Sequence, residues 1–558
     1  MAFCLPKFES EKFIAALRGG KIVPEKLMDM SSAERRTYFE TIVGKENALD
    51  VNTLFEQKLL LKDQKRGLVS WAKQITGIKE ATRKDILSKI ERMEKVLSPE
   101  NERAFLNDLA AKKLGTEVTF EEAKSITDLT GQALKAKDTI REDSPIRSPE
   151  RMEYGTYVVK LQDLIDALKL KDETIWKKLK EEPIVTTAGT VKSIRATADV
   201  SFTLRQGFKI LATHPSIWFR GFRKQWGDIA KALKGQEPQI YIKADILSRP
   251  NALNGKYEAG KYDLGVIIEE PFPSEIPGRI PVLGRLFKAA QAAYEGFALR
   301  TRADLADMYI AKAEEYGVDT KSSQAVSVGR IVNSLTGRGH VTLASEGALS
   351  AKNINAAFFS IRFWKSNYDA LTMHSLGYGV EKGVGRSFVR KEAAINLSKI
   401  VLTTAATLWL AKQLGFSVEL RPQSTKFGQV CYNDFCYDVS GGMRGLVTLA
   451  ARLLTGKYIT SKGKTQDLYN TKFGQMDGVD IILNHGLGKL SPTAGLVRDL
   501  LRGRDFNGKP ITPQSALISQ TTPISFETWL QIKDSEEQAD ILAAMIAEVL
   551  GVGVTQYK

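Results

Sequence analysis

The chain has 558 residues, 43% of them hydrophobic and 26% charged, and a formal net charge of +15. That is the balance of a soluble globular protein long enough for several domains and a sizeable core. Three cysteines exclude a disulfide framework, and the opening MAFCLPKFESEKF puts charge where the apolar core of a signal peptide belongs. Synthesis in a reducing cytoplasm is therefore expected. Residues 1–150 are nearly neutral, with 27 basic and 25 acidic side chains. The excess sits in 185–260, with 12 basic against 5 acidic, and in 381–465, with 13 against 5. Two basic blocks suggest a polyanionic partner, either nucleic acid or a membrane surface.

In chain order, residues 1–140 are predicted to form an N-terminal helical bundle. Ser98 before Pro99 and Glu100 is an N-cap with proline at N1. Thr119 with Glu122 forms a capping box. Between them Phe105, Leu106, Leu109 and Leu114 recur at helical spacing. Residues 141–155 hold two Ser-Pro pairs, dense charge and few apolar side chains, which predicts a linker.

Residues 156–270 are predicted to be a basic helical segment. Val158, Leu161, Leu164, Ile165 and Leu168 share one face of its first helix. Pro215 is expected to open another helix after His214. On that helix Trp218, Phe222 and Trp226 share a face, which predicts core. Arg220, Arg223 and Lys224 then form an edge able to touch phosphate or lipid, and interleaved rings of this kind can also stack on bases.

Residues 271–515 are predicted to be a helical module that contains a hairpin. It begins with a proline-rich loop over 271–281. A long helix over 283–317 follows, with Phe287, Ala290, Tyr294, Phe297, Leu305 and Met308 on one side. Another helical run covers 351–376. Residues 516–558 are expected to form a C-terminal helix. The fold class is thus mostly α and multi-helix, with a short β-hairpin near 427–440.

The hairpin is FGQVCYNDFCYDVSGG, with Asn433-Asp434 as its turn because both residues tolerate left-handed backbone angles. Tyr432 then faces Phe435, and Cys431 faces Cys436 in a non-hydrogen-bonded pair, where side chains approach most closely. This placement permits a disulfide. A structural zinc site needs about four ligands, and no histidine lies within 30 residues of the pair. The expectation is a plain hairpin with two small apolar side chains paired. Gly441-Gly442 predicts a sharp exit into a helix.

No catalytic constellation, cofactor site or metal site is visible. The four histidines, His214, His340, His374 and His485, lack ligand spacing. The glycines at 456 and 463 enclose six residues where a phosphate cradle needs four. The glycines at 377, 379 and 383 miss the dinucleotide spacing by one.

Residues 400–411 (IVLTTAATLWLA) are uncharged between Lys399 and Lys412. Twelve helical residues rise about 18 Å, short of a hydrocarbon core of about 30 Å. With both lysines snorkelling, 395–416 could reach across. Lys382, Arg386, Arg390 and Lys391 form a basic flank suited to anionic lipid. Leu402, Leu408 and Trp409 mark the membrane-candidate helix. The expectation for 382–454 is nevertheless two helices flanking the hairpin and packed together inside the protein.

Several phrases carry a family resemblance: RQGFKILATHP (205–215), NSLTGRGHV (333–341), NAAFFSIRFWKSNYDAL (355–371), FVRKEAAINL (388–397), and GKLSPTAGLVRDLLRGRDFNGKPIT (488–512). In this order, and with 280–309 and 424–457, they resemble the conserved helical module of large polyvalent proteins of bacteriophages and mobile elements. The resemblance covers about 190–515 and supplies no catalytic residues. It implies a non-enzymatic internal virion protein, made in the bacterial cytoplasm and ejected into the host cell with the genome. Other virion proteins, DNA and host membrane are the expected partners, with a homo-oligomer as the expected assembly. The alternative is a cytoplasmic nucleic-acid-binding accessory protein of antirestriction type.

Overall fold

The computed structural model describes residues 30–43, 119–169, 202–262, 283–341, 360–376, 383–471, 475–504 and 552–557, with isolated residues between them. The predicted N-cap at Ser98, the apolar residues 105–114 and the loop 271–281 lie outside the described residues. The chain divides into two compact units.

The first unit takes residues 1–141 and 157–172. Its described helices are α1 (Ser32–Val43), α2 (Phe120–Asp138) and most of α3 (Pro149–Lys169). The Thr119 capping box forms as expected. Its hydroxyl accepts from the Glu122 N–H, and the Glu122 carboxylate accepts from the Thr119 N–H at 2.7 Å. On α3, Leu161, Leu164, Ile165 and Leu168 pack with Ile126 of α2, the face that helical spacing marks out. The expected linker 141–155 is not one throughout. Residues 149–155 are helical, because Pro149 at the start of α3 has a preset helical φ.

The second unit takes 142–156 and 173–558. Its centre is α6 (Leu283–Glu315), flanked by α4 (Pro215–Leu233), α5 (Pro238–Leu247) and α7 (Ala325–Leu335). Phe287, Tyr294, Phe297, Leu305 and Tyr309 of α6 are all buried, and so are many alanines between them. A helix apolar on most sides is a buried helix. Each fully buried large side chain stabilises by about 1.5–3 kcal/mol. Small residues set the closest crossing. A Cβ on Gly221 of α4 would stand 2.6 Å from Cγ2 of Thr301 on α6, so only glycine lets these helices approach this far. Trp218 is buried and stacks on Phe222 at 4.8 Å between ring centroids, as the core prediction requires. Trp226, expected to share that core, is exposed.

Beyond α7 come α8 (Ile361–Leu376) and α9 (Val384–Gln413). The predicted hairpin follows, as β2 (Gln429–Tyr432) and β3 (Phe435–Asp438), with Cys431 opposite Cys436 and Tyr432 opposite Phe435. Asn433 takes the left-handed conformation, at φ 49°. Two further strands join this pair: β1 (Ser417–Val418) beside β2, and β6 (Gly553–Gln556) beside β3. Most of the expected C-terminal helix over 516–558 lies outside the described residues, and its end, 553–556, is a strand instead. Gly441 and Gly442, at φ 59° and 80°, turn the chain out of β3 into α10 (Arg444–Thr455). Small strands β4 (Lys457–Ile459) and β5 (Thr465–Asp467) precede α11 (Gly478–Leu487) and α12 (Pro492–Arg502).

The cysteine pair corrects the plain-hairpin expectation, because Cys431 and Cys436 form a disulfide with their Cα atoms 4.0 Å apart. A non-hydrogen-bonded cross-strand pair places the two Sγ atoms within bonding reach. The enclosed loop is short, with a sequence separation of 5. Loop-closure entropy for so small a ring gives about 2 kcal/mol. Reducing agent is therefore expected to lower the unfolding free energy by about that amount. Urea titrations with and without dithiothreitol check this, and a Cys431→Ser, Cys436→Ser variant should no longer respond.

Candidate functional site

The α9 helix changes character along its length. Its first half is locked into the core. Phe388, Val389 and Ala393 are buried in the main cluster. Glu392 pairs with Lys312 at 2.6 Å, and the Asn396 amide donates to the Tyr309 hydroxyl at 2.8 Å. Ile400 closes this half by packing with Phe208, Ala370 and Met443.

Past Ile400 the helix continues but its cover does not. Leu402 is 69% exposed and Trp409 64%, and Val401, Leu410 and Leu414 are also exposed. Alanine and leucine carry the helix through this stretch by propensity. Its threonine hydroxyls are satisfied locally, Thr404 donating to the Ile400 carbonyl and Thr407 to the Thr403 carbonyl. Gly415, at φ 90°, ends the run. Among the described residues this helix alone is long and apolar enough to cross a membrane by length and composition. Only 22% of its most apolar 18-residue window is buried. At 1.5 Å per residue the whole helix is about 45 Å long.

The expectation that α9 and α10 flank the hairpin holds. The expectation that they pack together inside the protein does not hold for the second half of α9. Between them lies an apolar groove of about 560 Å³. Ile400, Leu408 and Met443 form its floor, Val418 and Phe427 one wall, and Lys412 stands at the lining. Leu408 is buried at this floor and Trp409, though exposed, also lines the groove, whereas Leu402 and Leu410 are on the outer, exposed surface. Strands β1 and β2 pack against α9 on this side. More exposed apolar side chains lie downstream, among them Val479, Ile482 and Leu483 on α11, and Val497, Leu500 and Leu501 on α12.

No family model, curated protein or solved structure matches the chain.

The basic candidates divide. Arg220 is exposed and pairs with Asp304 at 3.3 Å. Arg223 is exposed. Lys224 is half-buried, and its ammonium is held below the usual lysine range by burial and by Arg147 and Arg300, against the pull of Asp245 and Asp304. Lys382 lies outside the described residues. Arg386 is half-buried in the first turn of α9. Arg390 donates through Nε to the His374 carbonyl at 3.0 Å, and the Lys391 ammonium sits 5.1 Å from the Tyr316 ring centroid. Arg390 and Leu408 are 18 residues apart on one helix, or about 27 Å. The basic flank is therefore not beside the exposed apolar half.

Two charged features escape sequence reading. Arg249, 1% exposed, reaches Asp304 and Asp307 at 2.9 Å and Asp245 at 3.4 Å. Tyr257 donates to Asp307 at 2.5 Å, and Asn251 donates to it at 2.8 Å. Lys209 is buried, its ammonium donating to Ser366 Oγ at 2.8 Å and Asn367 Oδ1 at 3.0 Å. Only the i,i+4 spacing of Asp245 and Arg249 signals the first, and nothing local signals the second. Among the described residues no group of three or more His, Cys, Asp or Glu side chains could hold a metal ion.

Proposed function

We propose that this protein works by contact with a lipid surface rather than by catalysis, in the role of an internal virion protein ejected with the genome. The exposed apolar second half of α9 carries the lipid part of this reading. Val401, Leu402, Trp409, Leu410 and Leu414 are each more than half exposed, so each gains about 1–2 kcal/mol if removed from water. Lys399 and Lys412 bracket the run and can meet anionic headgroups. Stable attachment takes two such signals, and the helix supplies an apolar and a cationic one. The virion part is supported by the resemblance over residues 190–515, and a mass-spectrometric inventory of purified particles tests it. Presence only in infected cytoplasm would remove it.

Nucleic-acid contact has weaker support. The cations at 220–224 lie beside Asp245 and Asp304, so part of their charge is already answered. Binding through several phosphates would weaken steeply between low and moderate salt.

The lipid reading is tested by co-sedimentation with phosphatidylglycerol vesicles. Replacing two exposed side chains together, Leu402→Asp and Leu410→Asp, is expected to lower association at least tenfold, from about 1 kcal/mol or more lost per side chain. The melting temperature should stay within about 2 °C, because surface substitutions change stability by about 0.5 kcal/mol or less. No association of the parent protein, or equal association of the variant, would refute the reading.

A further inference from the structure

The groove beside α9 differs from the exposed face of that helix. It is concave, floored by buried side chains, and about 560 Å³ in volume, within the range of sites that enclose a small molecule. Its hydroxyl groups and its guanidinium are already used. The Ser440 hydroxyl donates to Asp438 Oδ1 at 2.6 Å and accepts from the Arg444 N–H at 3.0 Å. The Thr404 hydroxyl is held by the Ile400 carbonyl. The Arg444 guanidinium is held by Asp438 at 3.2 Å and by the Thr425 carbonyl at 2.9 Å. An occupant therefore finds, besides Lys412, only the Trp409 indole N–H as a side-chain donor, which selects against a strongly polar molecule. The remaining cation of the lining is Lys412, exposed at one end of the α9 stripe and without an ion pair among the described residues. An apolar trough with one answerable positive charge is complementary to an alkyl chain that ends in an anion.

We propose that this groove binds one acyl chain of an anionic membrane lipid, with the chain on Ile400, Leu408 and Met443 and the anionic end at Lys412. The proposal rests on the lipid reading above and adds to it a site for a single extracted chain, distinct from the outer face formed by Leu402 and Leu410. It also accounts for a concave apolar surface on a chain that could have closed it with larger side chains at Thr404 and Ala405.

The test titrates the full-length protein with a dansyl-labelled fatty acid and with phosphatidylglycerol vesicles. The parent protein should bind the fatty acid saturably, one per chain. Ala405 is exposed and lines the groove, so Ala405→Trp fills the groove without emptying any core position. It should weaken fatty-acid binding at least tenfold, keep the parent melting temperature, and hold vesicle association within about threefold because the outer face is intact. Lys412→Glu should weaken the fatty acid at least fivefold but leave the matching fatty alcohol unchanged. Absence of saturable binding by the parent, or unchanged binding by Ala405→Trp, overturns the groove assignment while vesicle association still stands. Loss of vesicle association by the parent protein overturns the underlying reading instead.

Discussion

Replacing Arg249 with Met is expected to destabilise the second unit by about 3–5 kcal/mol, the usual loss when one partner leaves a buried ion network. The guanidinium is 1% exposed and bridges three carboxylates from two helices: Asp245 of α5, and Asp304 and Asp307 of α6. Each carboxylate keeps some help when Arg249 is gone. Arg147 reaches Asp245 at 2.8 Å, Arg220 reaches Asp304, and Asn251 and Tyr257 donate to Asp307. That help is not enough for three charges so close together with their shared cation removed, because unpaired buried charge is the larger penalty. Tyr257→Phe removes one hydrogen bond to the same carboxylate and should cost about 1–3 kcal/mol. Burial, followed by the Asp307 charge, holds the Tyr257 phenol above its ordinary range, so it stays protonated and donating at neutral pH. Urea unfolding at pH 7 checks both variants. A loss below 1 kcal/mol for Arg249→Met would mean that the network is not a stabilising clamp.

The second large effect is a pH dependence traceable to Lys209. Burial lowers its ammonium pKa from 10.5 to about 7, with Asp369 opposing the shift. In the unfolded chain the group titrates at its ordinary value. Below pH 7 both states carry the proton, and the full desolvation penalty weighs on the fold. Between pH 7 and 10.5 the unfolded chain holds a proton that the fold has released. Stability should therefore rise with pH at about 1.4 kcal/mol per unit from this group alone. From pH 7 to 9.5 the gain is about 3 kcal/mol. Burial also lowers the Lys224 and Lys489 pKa values, and both add a slope of the same sign. The Lys209 share is thus the difference between the parent and Lys209→Met, which should lack that increment. Equal slopes for the two proteins, measured by urea titration at several pH values, would exclude a buried ammonium at this position.

Much of the local structure is legible in the sequence, because it depends on neighbours within a few residues. The capping box at Thr119, the helix opening at Pro215, the apolar side of α6 and the Cys431–Cys436 register all follow from short-range spacing. The positive φ values at Gly441 and Gly442 follow from residue type. What is not legible depends on distant pairing. Asp438 meets Gly553 across the sheet, more than a hundred residues away. Arg249 meets Asp307, 58 positions along the chain. The exposure of α9 belongs to the same class. Leucine, alanine and tryptophan between Lys399 and Lys412 read the same whether a neighbour covers them or not. Only the path of the chain after α9 decides which residues face it across the groove. The basic flank illustrates the converse, since Arg390 and Lys391 look free in sequence but lean on His374 and Tyr316.

The central claim is that the second half of α9 is the element that meets lipid. Hydrogen exchange of the full-length protein, read by mass spectrometry with and without phosphatidylglycerol vesicles, tests it most directly. The account predicts added amide protection over residues 401–420, with little change over the buried α6 at 283–315, where exchange is already slow. Protection gained instead on the face carrying Arg220, Arg223 and Lys224, with residues 401–420 unchanged, would contradict it.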